Sequence, residues 1–98
     1  MNLFLRPYLE QEIREAARWY EDRQPGLGDR FLLAIDDAIS RVEARPESYQ
    51  VVHLDIRRAP VHRFPYSVFY FLPGDRIEVI AVVHDARHPG VWQGRREG

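Results

Sequence analysis

The chain is 98 residues long, 45% hydrophobic and 30% charged, with a formal net charge of −1. That suits a single globular domain over residues 1–98 with one core, and leaves no room for a second. With no cysteine in it, a disulfide framework, a thiol nucleophile and a thiolate metal site are all excluded.

Met1-Asn2-Leu3-Phe4-Leu5-Arg6-Pro7 lacks the basic segment and long apolar run of a signal peptide. No apolar run approaches the roughly 20 residues of a membrane helix, so a cytoplasmic location without membrane partners is expected. The small net charge hides an asymmetry. Residues 1–49 hold ten acidic and seven basic side chains; residues 50–98 hold five and seven, together with all four histidines. A polyanion would therefore meet the second half. All 14 basic residues are arginine, which reads either as codon usage or as a preference for bidentate contacts to phosphate or carboxylate.

In chain order, Asn2–Leu5 reads as a short strand, and Pro7 ends it while pre-setting a helix start. From Tyr8 to Asp22 the apolar positions Leu9, Ile13, Ala16, Ala17 and Tyr20 recur at helical spacing. Acidic Glu10 and Glu12 come early and Arg14 and Arg18 later, complementing the helix dipole. Gln24-Pro25-Gly26-Leu27-Gly28 breaks the pattern. A second helix is predicted over Asp29–Ala44, with Phe31, Leu32, Ile35, Ala38, Ile39 and Val42 on one stripe and Pro46 ending it. Joined by so short a loop, the two helices should form an antiparallel hairpin.

Glu47–Val52 reads as a linker with a short extended piece at 50–53. Three strands follow within Arg57–Val83, separated by Phe64-Pro65-Tyr66 and Pro73-Gly74-Asp75. Ser67–Leu72 and Ile77–Val83 are apolar on both faces, as central strands covered on both sides are. Val91-Trp92 is predicted to dock back as a short turn, and Gln93–Gly98 to be loose. The sum is an α+β fold in the order β-α-α-β-β-β, one helical hairpin on a mostly antiparallel sheet.

The candidate functional residues sit at the sheet margins. Arg57, Arg58, His62 and Arg63 lie on or beside the first of the three strands, and His84, Arg87 and His88 follow the last. Strand alternation sends Arg57 and Arg63 one way and Arg58 and His62 the other, yet strand ends could gather several of them with His84 and Arg87 in one concavity. Cutting RNA without a metal needs a base, an acid and cations around the phosphorane, which histidine and arginine can supply. The competing reading is an edge strand protected by charge against edge-to-edge pairing.

His84 and His88 flank a strand end with no third ligand in view, so neither a zinc site nor any cofactor is expected. Phe64 and Tyr66 read as base-stacking rings or as plugs of a core corner. Trp19, beside the first helix's apolar stripe, belongs to the hairpin packing or to a groove that receives a partner helix. Ser40, Ser48 and Ser67 lie in no nucleophile-elbow context, and no glycine-rich phosphate loop follows a strand.

Five segments then carry a resemblance: A-A-R-W-Y-E at 16–21, P-G-L-G-D-R-F at 25–31, A-R-P-E-S-Y at 44–49, R-R-A-P-V-H-R-F-P-Y-S-V-F-Y at 57–70 and V-V-H-D-A-R-H-P-G-V-W at 82–92. In order they cover nearly the whole chain, which resembles the RelE/ParE superfamily of type II toxin–antitoxin toxins, on the ParE-like branch. The resemblance implies a bacterial, growth-inhibiting toxin of the plasmid-stabilisation kind, neutralised by a cognate antitoxin whose C-terminal segment wraps the toxin's helices and sheet edge. Trp19 and Tyr20 are then candidate antitoxin contacts.

ParE-like members poison DNA gyrase without nuclease residues, whereas RelE-like members are ribosome-dependent ribonucleases that cut mRNA. Under the ribonuclease reading Arg63 and Arg87 would hold the phosphate, His84 would serve as base or acid, and Arg57, Arg58 and His62 would contact nucleic acid or target. Ribonuclease members often carry a tyrosine near the C-terminus, and this chain has none after Tyr70. The gyrase inhibitor is therefore the first expectation, the ribonuclease the second, and an inactive antitoxin-binding module the third.

Overall fold

The structure, a computed structural model, describes residues 1–97. Strand β1 (Asn2–Leu5) leads into helices α1 (Tyr8–Arg23) and α2 (Leu27–Ala44); strands β2 (Val51–His53), β3 (Ile56–Pro60), β4 (Tyr66–Phe71) and β5 (Arg76–His84) follow, then a short helix α3 (Gly90–Gln93). The sheet order is β1-β5-β4-β3-β2, with β1 parallel to β5 and every other pair antiparallel. The expected α+β architecture is present. The extended piece expected at 50–53 forms the short edge strand β2.

α2 begins two residues before the predicted start, because Gly28 belongs to its first turn. A Cβ at Gly28 would lie 2.7 Å from the backbone oxygen of Ala17, so only glycine lets α1 and α2 close at this level. Gly26, at φ 88°, makes the bend. The Glu21 carboxylate accepts the N–H groups of Gly26 and Gly28 at 3.0 Å. It satisfies donors that the start of α2 leaves free and places negative charge at the positive end of the dipole.

The hairpin buries Leu9, Ala17, Phe31, Ile35, Ala38 and Val42 against Val68, Tyr70, Ile77, Val79 and Val82 of the sheet. The opposite face has its own cluster of Ile56, Phe69, Phe71, Ile80, Ala81, Val83 and Trp92, which is why β4 and β5 are apolar on both sides. A register shift beside Phe69 and Tyr70 leaves the Ile80 carbonyl free to accept the Tyr8 hydroxyl at 2.8 Å and an Arg95 N–H at 3.3 Å, as the pairing of buried backbone groups requires.

The tail differs from its expected looseness. Val91-Trp92 docks back as expected, with Trp92 stacked on Phe69 at a centroid distance of 4.2 Å and planes at 11°, whereas a 3-10 turn over Gly94–Arg96 replaces the looseness expected from Gln93 on. The Arg95 guanidinium grips both oxygens of Glu12 at 2.9 and 2.6 Å. Arg96 does the same to Asp55 at 2.7 and 2.9 Å. These partners lie 83 and 41 positions away along the chain, beyond the reach of local pattern reading. The expectation for Gly98 lies outside the described residues.

Candidate functional site

Two grooves flank a wall of aromatic rings. Tyr20 packs on Phe31 and Phe64 with centroids at 5.1 and 5.0 Å, and Phe31 meets Tyr66 at 4.9 Å. Phe64 is thus a plug of the core corner. Tyr20 lines both grooves.

The first groove, about 420 Å³, runs between α1 and the end of β5. Glu12, Glu15, Ala16 and Trp19 form its α1 wall, and Tyr66, His84 and Arg87 stand opposite. Glu12, Glu15 and Trp19 recur at i, i+3 and i+7, so they share one helix face. Tyr66 reaches His84 because the two are direct partners across β4 and β5, with rings 5.3 Å apart and nearly perpendicular. The Arg87 N–H donates to the His84 carbonyl at 3.0 Å, closing a tight turn after β5. His84 Nδ1 accepts the Ala86 N–H at 3.0 Å. In its neutral form the ring therefore carries its proton on Nε2, where it can donate but not accept. Burial raises the phenols of Tyr66 and Tyr20 above their ordinary value of 10.0, so neither is a base at neutral pH.

The second groove, about 650 Å³, lies between α2 and the turn from β3 to β4 and holds His62 and Arg63. Here the chain leaves β3 at Pro60 and turns through Arg63 at φ 71°, a left-handed backbone that non-glycine residues rarely adopt.

The cations expected to share one concavity are thus distributed. His84 and Arg87 are together; Arg63 and His62 lie in the other groove. Arg57 donates to the carbonyls of Glu47 at 3.0 Å and Tyr49 at 2.7 Å, tying the linker to β3. Arg58 points to the opposite face, where its Nε donates to Ser67 Oγ at 2.9 Å and its guanidinium lies 3.6 Å from Asp85. Alternation along β3 separates Arg57 from Arg58, but the strand ends at Pro60 and the turn through Arg63 brings His62 and Arg63 into one groove, against the opposite sides expected of them. Trp19 stays 52% exposed, with the Arg23 guanidinium 3.7 Å over its ring. Sequence reasoning missed Glu12 and Glu15 as groove walls and Tyr66 as the neighbour of His84; cross-strand pairing of the two strands was the signal for the last.

Among the described residues no group of three or more His, Asp or Glu is placed to hold a metal ion, and no helix is long and apolar enough to cross a membrane.

With this geometry in view, a family model described as "ParE toxin of type II toxin-antitoxin system, parDE" matches residues 3–89. The chain belongs to the ParE toxin family. A solved structure titled "Chromosomal ParDE TA system from P. aeruginosa" has the same fold, with a TM-score of 0.65 at 16% identity, over 86% of this chain and 95% of that one. Comparison with curated proteins finds no match. The expected ParE-like branch, the α+β fold and the toxin reading thus agree with these findings.

Proposed function

We propose that this ParE-family toxin inhibits DNA gyrase by binding, in the cytoplasm, without cutting nucleic acid, and that a cognate antitoxin holds it inactive. The antitoxin partner is supported by the toxin–antitoxin family and by the ParDE system named for the structural neighbour. The observation that most supports binding over cleavage is the His84–Ala86 hydrogen bond. It occupies the one imidazole nitrogen that could take up a 2′-hydroxyl proton. Tyr20 and Tyr66 stay protonated, and the α1 wall adds Glu12 and Glu15 where a scissile phosphate would need positive charge. Glu12 is committed to Arg95 and Glu15 accepts from Gln11 at 2.9 Å.

On this reading His84 and Arg87 are contact groups at the sheet margin, aimed at the target beside the clamped tail. The test is pulse expression without antitoxin, following DNA, RNA and protein synthesis separately. The expected result is an early stop in DNA synthesis with translation initially spared. An early stop in translation with mRNA cut inside reading frames would overturn it in favour of the ribonuclease. No effect on growth would identify an inactive antitoxin-binding module.

A further inference from the structure

The hairpin of β2 and β3 turns in two residues, Leu54 and Asp55, between the paired His53 and Ile56. Leu54 has φ 52°, while Asp55 keeps the ordinary negative sign. A positive φ at the first position of a two-residue hairpin is the place of glycine, and in leucine it sets the Cβ against the chain's own carbonyl. The side chain gains no burial in exchange. At 70% exposure Leu54 is the most exposed large apolar residue among the described residues, and Val51 and Val52 beside it are exposed too. A strained backbone that holds an apolar side chain out in water points to a contact made outside the chain.

The tip is also braced. Both Asp55 oxygens accept from Arg96, whose guanidinium lies 3.8 Å over the Phe71 ring, and the His53 ring stands edge-on to Trp92 at 6.1 Å. The tail that supplies these holds begins at the turn bearing His84 and Arg87, and Trp92 lies in the cluster on the sheet face away from the helical hairpin. β4 meets His84 at Tyr66 and Glu78 at Phe71. Because Arg57 pairs with Tyr70, the hairpin tip stands at the Phe71 end, five residues or about 17 Å along the strand from His84. One continuous surface, held together by the tail, thus runs from Arg87 to Leu54.

We propose that Leu54 is a preorganised apolar anchor for the toxin's target, inserting into an apolar pocket on gyrase while His84 and Arg87 make polar contacts at the other end of the same surface. This rests on the gyrase-binding reading above and adds to it a contact residue and the face that carries it. The continuity of the tip with the tail, on the face away from the helices, is what assigns it to the target. An apolar knob offers nothing to a phosphate backbone. Fixing the turn before binding spares the complex the entropy of ordering it.

The test measures binding to purified gyrase, inhibition of supercoiling and thermal melting for the wild type, Leu54→Asn and Leu54→Met. Asparagine tolerates the left-handed backbone but is polar; methionine keeps an apolar side chain. The expected result is that Leu54→Asn melts at or above the wild type yet binds and inhibits gyrase at least about tenfold more weakly, while Leu54→Met stays within about threefold of the wild type. A stabilised variant that loses inhibition is what a structural role for Leu54 does not produce. A wild type that blocks gyrase and a Leu54→Asn chain that blocks it equally would overturn the anchor alone. A wild type that neither binds nor blocks gyrase would overturn the gyrase reading and the anchor with it. Loss of inhibition in step with a lowered melting temperature in both variants would make Leu54 structural and overturn the proposal. So would a Leu54→Asn chain that loses the antitoxin rather than gyrase, or a wild-type dimer that Leu54→Asn dissolves, which would give the tip to those partners.

Discussion

Gly28 lies so close to Ala17 that a methyl group on its α-carbon would sit 2.7 Å from the Ala17 carbonyl oxygen and 3.0 Å from the Glu21 Cβ. Both neighbours belong to the first helix, so relief would require α1 and α2 to separate. Gly28→Ala is expected to lower stability by about 1–3 kcal/mol, the usual range for overpacking a close contact. Urea unfolding checks this, and an unchanged midpoint would mean that the hairpin slides apart freely.

Tyr70 carries the fold's alkaline limit. It is fully buried, and its hydroxyl donates to the Pro46 carbonyl at 2.6 Å. Burial pushes its ionisation from 10.0 up to about 12. Because the folded value is the higher one, the associated stability is complete below about pH 10 and lost as pH rises through about 12. Tyr70→Phe should weaken this alkaline dependence, and at neutral pH it should cost about 1–3 kcal/mol for the unpaired carbonyl. Denaturant melts between pH 7 and 12 read both effects.

The tail should respond to acid. The hydrogen-bonded Arg96 guanidinium holds the Asp55 carboxyl below its ordinary value of 3.8. With the folded value depressed, the contact contributes fully above that ordinary value and is lost as pH falls through the lower folded one. Asp55→Asn should remove this step. Fluorescence of Trp92, stacked on Phe69, and amide exchange over residues 94–96 are the measurements.

Ser67 is the buried polar residue on the second face. Its hydroxyl accepts from Arg58 Nε at 2.9 Å and donates to Asp85 Oδ1 at 2.6 Å, beside the turn that presents His84 and Arg87. Ser67→Ala removes one hydrogen bond from each of two half-exposed charged groups that still face each other at 3.6 Å, and a loss of about 0.5–1.5 kcal/mol is expected. The His84 ring resonances should shift as well, which a purely global loss of stability would not produce under folding conditions.

The strands and helices were legible because each follows a period: 3.6 residues for Leu9 to Tyr20, and apolar runs on both faces for Ser67–Leu72 and Ile77–Val83. The start of α2 was not, because Gly28 is set by the approach of Ala17, which local preference cannot see. The docking of Trp92 was legible, but the order of the tail beyond it was missed for the same reason, since Arg95 and Arg96 are held by Glu12 and Asp55. At the candidate site the residue types were visible but their grouping was not. Arg57, Arg58, Arg63 and Arg87 look alike in the sequence, and only the alternation of β3, the left-handed turn at Arg63 and the tight turn after β5 send them to their different surfaces.

The most direct test of the central claim is a supercoiling assay with purified gyrase and purified chain, run beside a ribosome-programmed mRNA cleavage assay. The account predicts that the chain blocks gyrase and leaves mRNA intact, and that added antitoxin reverses the block. Cleaved mRNA with unaffected gyrase would contradict it, and would mean that His84 exchanges its hydrogen bond with Ala86 for a proton-accepting role.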